Sequence, residues 1–474
     1  MTRAVYLSSL VSMTALVAGC AVGPDYARPD VDLPAQFKQQ AVTSDWKPAQ
    51  PADDMARGEW WRVFGDTELD ALMIQVARAN QDLRAAQARY QQAAALARQA
   101  RAALFPLATA NASATRGTSG GGNTRVSTTQ QVGAALDWEI DVWGRIRRGV
   151  ESNTANAQAT QADLAATRLS LQAELAQNYF ALRIADAQRA LLEESIGAYE
   201  RSLALTKNRY AAGIVTRADV AQAQTQLLST RAQAIDLGLQ RTQLEHAIAI
   251  LVGRAPSELS LAATPFALSV PEIPAALPAT LLERRPDIAA AERRVAAANA
   301  QIGVARAAYF PSLVLNASGG YRGLSASDLF SLPNRFWSLG PSLVATLFDA
   351  GERRAVEERA TAAYDESVAL YRGAVLTALR EVEDALAAVR LLNEEAAVQA
   401  QAVDAARESL ALATNQYKAG TVGFLNVLTA QATELTARRT ALDIAGRRYT
   451  ATVQLIRALG GGWTSAAEAV ADAS

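Results

Sequence analysis

The chain of 474 residues has one histidine, one cysteine and no marked excess of charge, with a formal balance of −1. The sole histidine, His246, stands in the run Leu244-Glu245-His246-Ala247-Ile248 with no metal-ligand partner at helical spacing. The sequence offers no second histidine with which it could share a metal. Paired carboxylates occur at Glu193-Glu194 and Glu357-Glu358, but on long helical stretches where they read as solvated charges and imply no pocket. Nothing points to an enzyme or a cofactor. Lysine and arginine are scattered along helices, and no basic patch is interleaved with aromatics, which argues against a nucleic-acid partner. A lone cysteine closes no internal disulfide. No apolar run is long enough for a comfortable helical membrane span.

What the chain does have is a long internal duplication. Arg209-Tyr210-Ala211-Ala212-Gly213-Ile214-Val215 returns as Gln416-Tyr417-Lys418-Ala419-Gly420-Thr421-Val422, 207 residues later. Upstream of each turn the apolar residues fall at alternating spacings of four and three. In the first repeat these positions run Leu171, Leu175, Asn178, Leu182, Ala185, Arg189, Leu192, Ile196, Tyr199, Leu203, Thr206 and Tyr210, and nine of the twelve are apolar. That is a coiled-coil register, and the second repeat keeps it. From Gly144 to Tyr210 an unbroken helix would span about 100 Å at 1.5 Å per residue. Each repeat therefore reads as a rod that reverses at a tyrosine–glycine turn.

The start of the chain resembles a bacterial lipoprotein signal. Arg3 precedes the apolar stretch from Ala4 to Ala18, and Leu16-Val17-Ala18-Gly19 lead into Cys20. The resemblance implies a signal peptide over 1–19, removed ahead of Cys20, and a covalent lipid on that cysteine. Ala21, rather than an aspartate, then implies sorting to the outer membrane of a Gram-negative bacterium. Residues 20–58, with Pro24, Pro29, Pro34, Pro48 and Pro51, read as an extended lipid-anchored segment.

A first repeat occupies 59–254. Trp60-Trp61 and Phe64 precede Asp66-Thr67-Glu68, an aspartate cap with an acidic first turn, and the helix behind it is expected to continue to about Leu104, where Pro106 stops it. Over 105–141 the apolar period changes to two. Val132, Ala134, Leu136, Trp138 and Ile140 share one face, suited to lipid, while Asp137, Glu139 and Asp141 share the other, suited to water. The glycine run Gly120-Gly121-Gly122 lacks the residues of a phosphate-binding loop and reads as a hairpin loop. The long helix, the tip turn at 210–215 and a return helix follow. A proline-rich connector spans 255–279. The second repeat, 280–462, opens with Glu283-Arg284-Arg285-Pro286-Asp287 and carries a hairpin over 310–348, with strands at about 310–322 and 337–348. Its tip turn falls at 417–422, and a small polar tail covers 463–474.

Four strands of ten to thirteen residues are long enough to cross a membrane but too few to close a barrel. Open edges in hydrocarbon leave backbone groups unpaired, and an isolated Ala-rich helix pair buries little surface. Both point to several copies of the chain packing together.

The lipoprotein signal, the Glu-Arg-Arg-Pro-Asp helix start, Phe105-Pro106 with Phe310-Pro311, and the two Tyr-x-Ala-Gly turns together resemble the outer-membrane efflux family of TolC/OprM-like channels, in particular its NodT-type lipoproteins. The resemblance covers nearly the whole chain from Cys20 to Trp463. It implies a mainly α fold with a transmembrane β-barrel: a homotrimer in which four strands per chain make a 12-stranded barrel, and the tandem-repeat helices make a periplasmic α-barrel. It implies a passive exit channel of a tripartite export system, with a periplasmic adaptor and an inner-membrane transporter as partners and outer-membrane lipid around the barrel. It places adaptor docking at the turns, on Arg209, Gly213, Ile214, Val215, Tyr417, Gly420, Thr421 and Val422. It makes Asp219 and Tyr417, with Arg217 nearby, candidates for a gate across neighbouring helix pairs. Val422, Asn426 and Thr429 depart from the charged residues that relatives carry at such positions. The residues alone leave open a second reading, a lipid-anchored periplasmic coiled-coil stalk without a pore. The substrate has no signature in the chain.

The expected anchor is checked directly. Cells given radiolabelled palmitate should label the protein, and Cys20→Ser should abolish the label; retained label on the serine variant would refute the lipid assignment.

Overall fold

A computed structural model of the chain describes residues 21–31, 58–118, 126–264, 270–271 and 285–461. The expected signal peptide, Cys20, most of the first hairpin loop, Glu283-Arg284 and the tail lie outside those residues. The described elements are α1 (Thr67–Ala79), α2 (Gln81–Ala102), β1 (Leu107–Thr118), β2 (Val126–Ile140), α3 (Arg145–Ala211), α4 (Arg217–Leu251), α5 (Pro286–Ala307), β3 (Ser312–Gly323), β4 (Arg335–Val344), α6 (Glu352–Ala419) and α7 (Phe424–Ala458). The long helices α3 and α6 have 67 and 68 residues, and the return helices α4 and α7 have 35 each. No described helix is long and apolar enough to cross a membrane.

The chain divides into two compact units. One comprises Met1–Val31, Gln87–Asp163 and Asp287–Ala374. It holds a single antiparallel sheet in the order β1-β2-β3-β4. The register sorts the side chains cleanly. On one face Ala108, Ala110, Ala112 and Ala114 of β1 lie beside Leu136, Ala134, Val132 and Gln130 of β2. The same face continues through Leu313, Leu315, Ala317 and Tyr321 of β3 and Leu343, Pro341, Leu339 and Arg335 of β4. The opposite face carries Thr109, Asn111, Ser113, Gln131, Asp137, Glu139, Asn316, Ser318, Arg322 and Ser338. Arg322 donates to Gln131 at 2.9 Å there and lies over the Phe336 ring, and Ser318 bonds Ser338 at 2.8 Å. One face is thus mainly apolar, and the other mainly polar.

At the base of the sheet, Trp143 stacks on Phe310 at 4.7 Å and donates to the Pro311 carbonyl. Asp141 caps α3, accepting from the Ile146 and Arg147 amides at 2.9 and 2.8 Å. Asp349 does the same for α6 through Gly351 and Arg353. Carboxylates are favoured at these positive helix ends. Residues 21–31 are tied down alongside. Val22 donates to the Trp143 carbonyl at 3.0 Å, and buried Arg148 bonds the Val22 and Gly23 carbonyls and the Asp25 carboxylate. Gly23 has φ +108°, and a Cβ there would stand 2.5 Å from the Gly303 Cα, so only glycine lets the strap lie this close. Tyr26 donates to the Glu292 carboxylate; burial and that carboxylate push its phenol well above the ordinary tyrosine range.

The second unit comprises Asp32–Ala86, Leu164–Pro286 and Val375–Ser474. Its core joins Trp60, Trp61, Leu69, Met73 and Val76 to Leu175, Tyr179, Phe180 and Leu182 of α3, Ile248 of α4, and Tyr449 and Val453 of α7. Phe180 stacks on Tyr449 at 4.4 Å and meets Phe64 at 4.7 Å. Beside it runs a buried ionic bracket. Arg183, 1% exposed, pairs with Glu68 and Asp186 and donates to the Ala262 carbonyl; Arg241 pairs with Asp186 and donates to the Leu261 carbonyl; Glu245 accepts from the Leu261 amide. The bracket fastens the start of the connector to α3 and α4.

Two expectations need correction. The helix from Asp66 does not run unbroken to Leu104. It stops at Asn80, whose buried side chain accepts from the Leu83 amide and donates to the Leu251 carbonyl, both at 2.9 Å. An asparagine that can bond backbone groups offers the chain an alternative to continuing the helix. The fourth strand covers Arg335–Val344 and not 337–348, and Leu347 and Phe348, 94% and 86% exposed, lie beyond it. Apolar composition carried the expected strand past the point where pairing with β3 ends at Ser312.

Removing one partner of a buried, hydrogen-bonded charge group costs about 3–5 kcal/mol. Arg183→Ala should therefore lower the melting temperature of the purified protein by several degrees, read from tryptophan fluorescence at Trp60 and Trp61; an unchanged melting curve would show the bracket to be dispensable.

Candidate functional site

The site is built from the two turns, both in the second unit. In each, the last turn of a long helix closes on a left-handed glycine. Gly213 has φ +71°, with its amide bonded to the Tyr210 carbonyl and the Ile214 amide bonded to the Arg209 carbonyl, both at 2.9 Å. Gly420 has φ +78°, with the matching bonds to Tyr417 and Gln416 at 3.0 Å. These bonds satisfy carbonyls that the helix end leaves orphaned, and a side chain at the glycine would meet the left-handed penalty.

Beyond that shared frame the turns differ. After the first, Thr216 and Asp219 form a capping box: the Asp219 carboxylate accepts from the Thr216 amide and hydroxyl at 2.8 Å, and the Thr216 oxygen accepts from the Asp219 amide. After the second, Gly423 supplies no side-chain cap, and Phe424 stands where the first repeat has Arg217. Phe424 is buried and meets the Tyr417 ring edge-on at 5.6 Å. Tyr417 is only 4% exposed, and its hydroxyl has no hydrogen-bond partner among the described residues, whereas Tyr210 is half exposed. Around Tyr417 the tip core gathers Tyr199, Leu203, Ala223, Leu227, Val427 and Leu435, with half-buried Val422 against it.

Arg209 joins the turns. Its guanidinium lies over the Tyr417 ring at 4.5 Å and donates to the Tyr417 and Lys418 carbonyls at 2.8 and 3.0 Å. It therefore holds the second turn by three contacts. Ile214, at the outer point of the first turn, is 68% exposed, while its counterpart Thr421 bonds its hydroxyl back to the Gln416 carbonyl at 3.0 Å.

All the sequence-derived tip residues thus come together, but with divided duties. Gly213 and Gly420 make the reversals; Arg209 and Tyr417 make an internal clasp; Ile214 faces outward. Of the gate candidates, Asp219 spends its carboxylate on its own helix cap, Tyr417 points into the tip core, and Arg217 is exposed. Val422 contributes apolar packing, and the Thr429 hydroxyl bonds the Leu425 carbonyl of its own helix. Sequence reading did not foresee the clasp or the role of Phe424. The capping box was legible in Thr216-Arg217-Ala218-Asp219.

Higher on the same helices Arg438 of α7 grips Glu194 of α3 at 2.8 Å and Glu434 at 3.3 Å. Its hydrogen bond holds the Glu194 carboxyl below the usual carboxylate range. Among the described residues no cluster of histidine, cysteine and carboxylates is arranged to hold a metal.

Comparison with known proteins places this geometry among channels. The family model described as outer membrane efflux protein matches residues 72–254 and 277–461. The chain is 33% identical over 468 residues to the pyoverdine export outer membrane protein OpmQ of Pseudomonas aeruginosa, covering 96% of this chain and 97% of that one. It is 33% identical over 457 residues to the solvent efflux pump outer membrane protein SrpC of Pseudomonas putida, covering 95% and 97%. Among solved structures, the outer-membrane channel OprN superposes with a TM-score of 0.84 at 35% identity, covering 94% of this chain and all of that one.

The clasp yields a test. Hydrogen bonds to a charged group contribute about 1.5 kcal/mol or more, close to tenfold in an opening equilibrium. Arg209→Ala should raise amide hydrogen exchange at 418–422 by about tenfold and leave Gly213 and Ile214 unchanged; equal protection in the variant would remove Arg209 from the role.

Proposed function

The chain belongs to the outer membrane efflux protein family, whose members are export channels of the Gram-negative outer membrane, and from that premise we propose how its own residues serve the task. Three copies close one barrel, a periplasmic adaptor seats on the paired turns, and an inner-membrane transporter coupled through it supplies the energy. The observation that carries this reading is the sheet. It has one apolar and one polar face, and among the described residues β1 and β4 each pair on one side only. In hydrocarbon each unpaired backbone group costs several kcal/mol, so the edges of one copy must pair with those of the next. The apolar face then meets lipid and the polar face lines the pore, with Trp138, Tyr321 and Trp337 on the lipid side where aromatics favour the interfaces.

The helices support the same reading. Leu228, Ile235 and Leu239 of α4, and Leu391, Val398 and Leu412 of α6, recur at coiled-coil spacing yet are more than half exposed in the single chain. Such seams are covered when helix pairs of neighbouring copies pack side by side. A stalk without a pore would have no use for a sheet of two opposite faces. At the tip, adaptor binding favours the open arrangement over the closed one, and conduction is passive. The apolar Val422 and the self-satisfied Asp219 support closure by packing rather than by an ion pair between copies. A lipid on Cys20 secures the strap that residues 21–31 begin. The relatives' names cover pyoverdine and solvents, so the cargo of this chain is a matter for its transporter.

Purified in detergent and reconstituted into planar bilayers, the protein should run as a trimer and give single-channel conductance. Gly213→Arg or Gly420→Arg should abolish export in cells while leaving the trimer intact. A trimer with no conductance under any condition would favour the stalk, and normal export in both arginine variants would sink the docking assignment.

A further inference from the structure

The two turns carry a charge imbalance that helix electrostatics explain only in part. Residues 202–224 and 410–432 contain four cations, Lys207, Arg209, Arg217 and Lys418, against one acid, Asp219, in a chain whose overall balance is −1. Of the four lysines in the whole sequence, two are here. Arg209 is turned inward onto the second turn, and Asp219 is held in its capping box. The side chains of Lys207, Arg217 and Lys418 are exposed and make no hydrogen bond or ion pair among the described residues.

Helix electrostatics account for part of this. Arg209 and Lys418 sit in last turns, where the negative end of the helix favours a cation. Arg217 has no such reason. It is the first residue of α4, at the positive end, where a cation is disfavoured and the dipole gains nothing from it. An exposed cation kept at an unfavourable helix end, beside a 68% exposed isoleucine, has the character of a recognition group. The equivalent positions of the second repeat show the contrast: Phe424 replaces Arg217 and is buried, and Thr421 replaces Ile214 and is satisfied internally. The repeat preserved the reversal but divided the outward-facing groups unevenly: Ile214 and Arg217 on the first turn, with Lys207 on the helix that leads into it, against Lys418 and the 59% exposed Leu425 at the second.

We infer that the first turn is the principal seat for the docking partner, and that the partner is an acidic protein tip: an apolar slot that receives Ile214, rimmed by carboxylates that face Lys207, Arg217 and Lys418. The inference rests on the docking reading above and adds its chemistry. Lysine suits such a rim because its charge is a flexible, strongly hydrated point needing no fixed geometry. Charges of this kind act mainly on the rate and selectivity of encounter, while a buried apolar anchor acts on the lifetime of the complex.

The test uses the full trimeric channel in detergent and, as probe, the purified soluble form of the adaptor that crosslinks to the channel in its own cells. Raising sodium chloride from about 50 to about 300 mM shortens the screening length about 2.5-fold and should weaken binding at least tenfold, chiefly through the association rate. Lys207→Glu with Arg217→Glu should slow association by a further tenfold or so, Arg217→Lys alone should leave it at the wild-type rate, and Ile214→Ser should hasten dissociation with little change in association. Arg439→Glu, a comparable reversal away from the turns, should leave the kinetics unchanged. Binding by the wild type that is indifferent to salt and to both charge reversals would overturn the acidic partner while leaving docking intact. Absence of any wild-type binding would overturn docking and this inference together. If the doubly reversed channel bound the adaptor normally but lost affinity for phosphatidylglycerol vesicles, the cations would belong to a lipid contact and the proposal would fall.

Discussion

Everything in the molecule answers to backbone hydrogen bonds that one chain cannot complete. A four-stranded sheet that is apolar on one face and polar on the other has no stable place alone: in water the first face is exposed, and in lipid the edges of β1 and β4 are. Only closure with further copies resolves both, and closure dictates much of the rest. The helices that leave β2 and β4 are launched by matching aspartate caps, Asp141 and Asp349, so that the two long helices start in the same way. Their exposed leucine seams are the helical counterpart of the unpaired strand edges.

Two kinds of rigidity keep the pieces in register. Near the sheet, glycine and arginine do the work: Gly23 lies against Gly303, and Arg148 binds the Val22 and Gly23 carbonyls and the Asp25 carboxylate, which ties residues 22–25 to α3 and α5. In the other unit a ring of charges around Arg183 and Asp186 does the same for the connector. Buried ion pairs of this kind add little stability over apolar packing and are costly when broken. Their value here is positional: they hold particular carbonyls of an otherwise irregular segment.

The long helices, the turns and the alternating strand of the first hairpin were legible because they rest on period and on glycine, both local properties. The duplication made them more so, since each copy supports the other. What escaped was carried by single polar residues acting over long sequence distances. Asn80 breaks a helix that composition would continue, because it finds a partner at Leu251. Arg209 has the look of a docking residue, yet spends its donors on carbonyls 208 and 209 positions away. Phe424 has an ordinary place in the sequence and becomes the wedge under Tyr417. Strand boundaries failed for the opposite reason: Leu347 and Phe348 extend the apolar pattern past the last paired residue, and pattern alone cannot tell pairing from its absence.

The duplication has a consequence for assembly. A protein of one repeat would bring one hairpin and would need twice as many separate molecules to close the same barrel. Joining two repeats through the connector turns half of those associations into events within a molecule, where the second partner is always at high local concentration and translational freedom has already been surrendered. The ring can then form from fewer encounters at low abundance, and the two halves, no longer obliged to be identical, can divide holding from receiving between them.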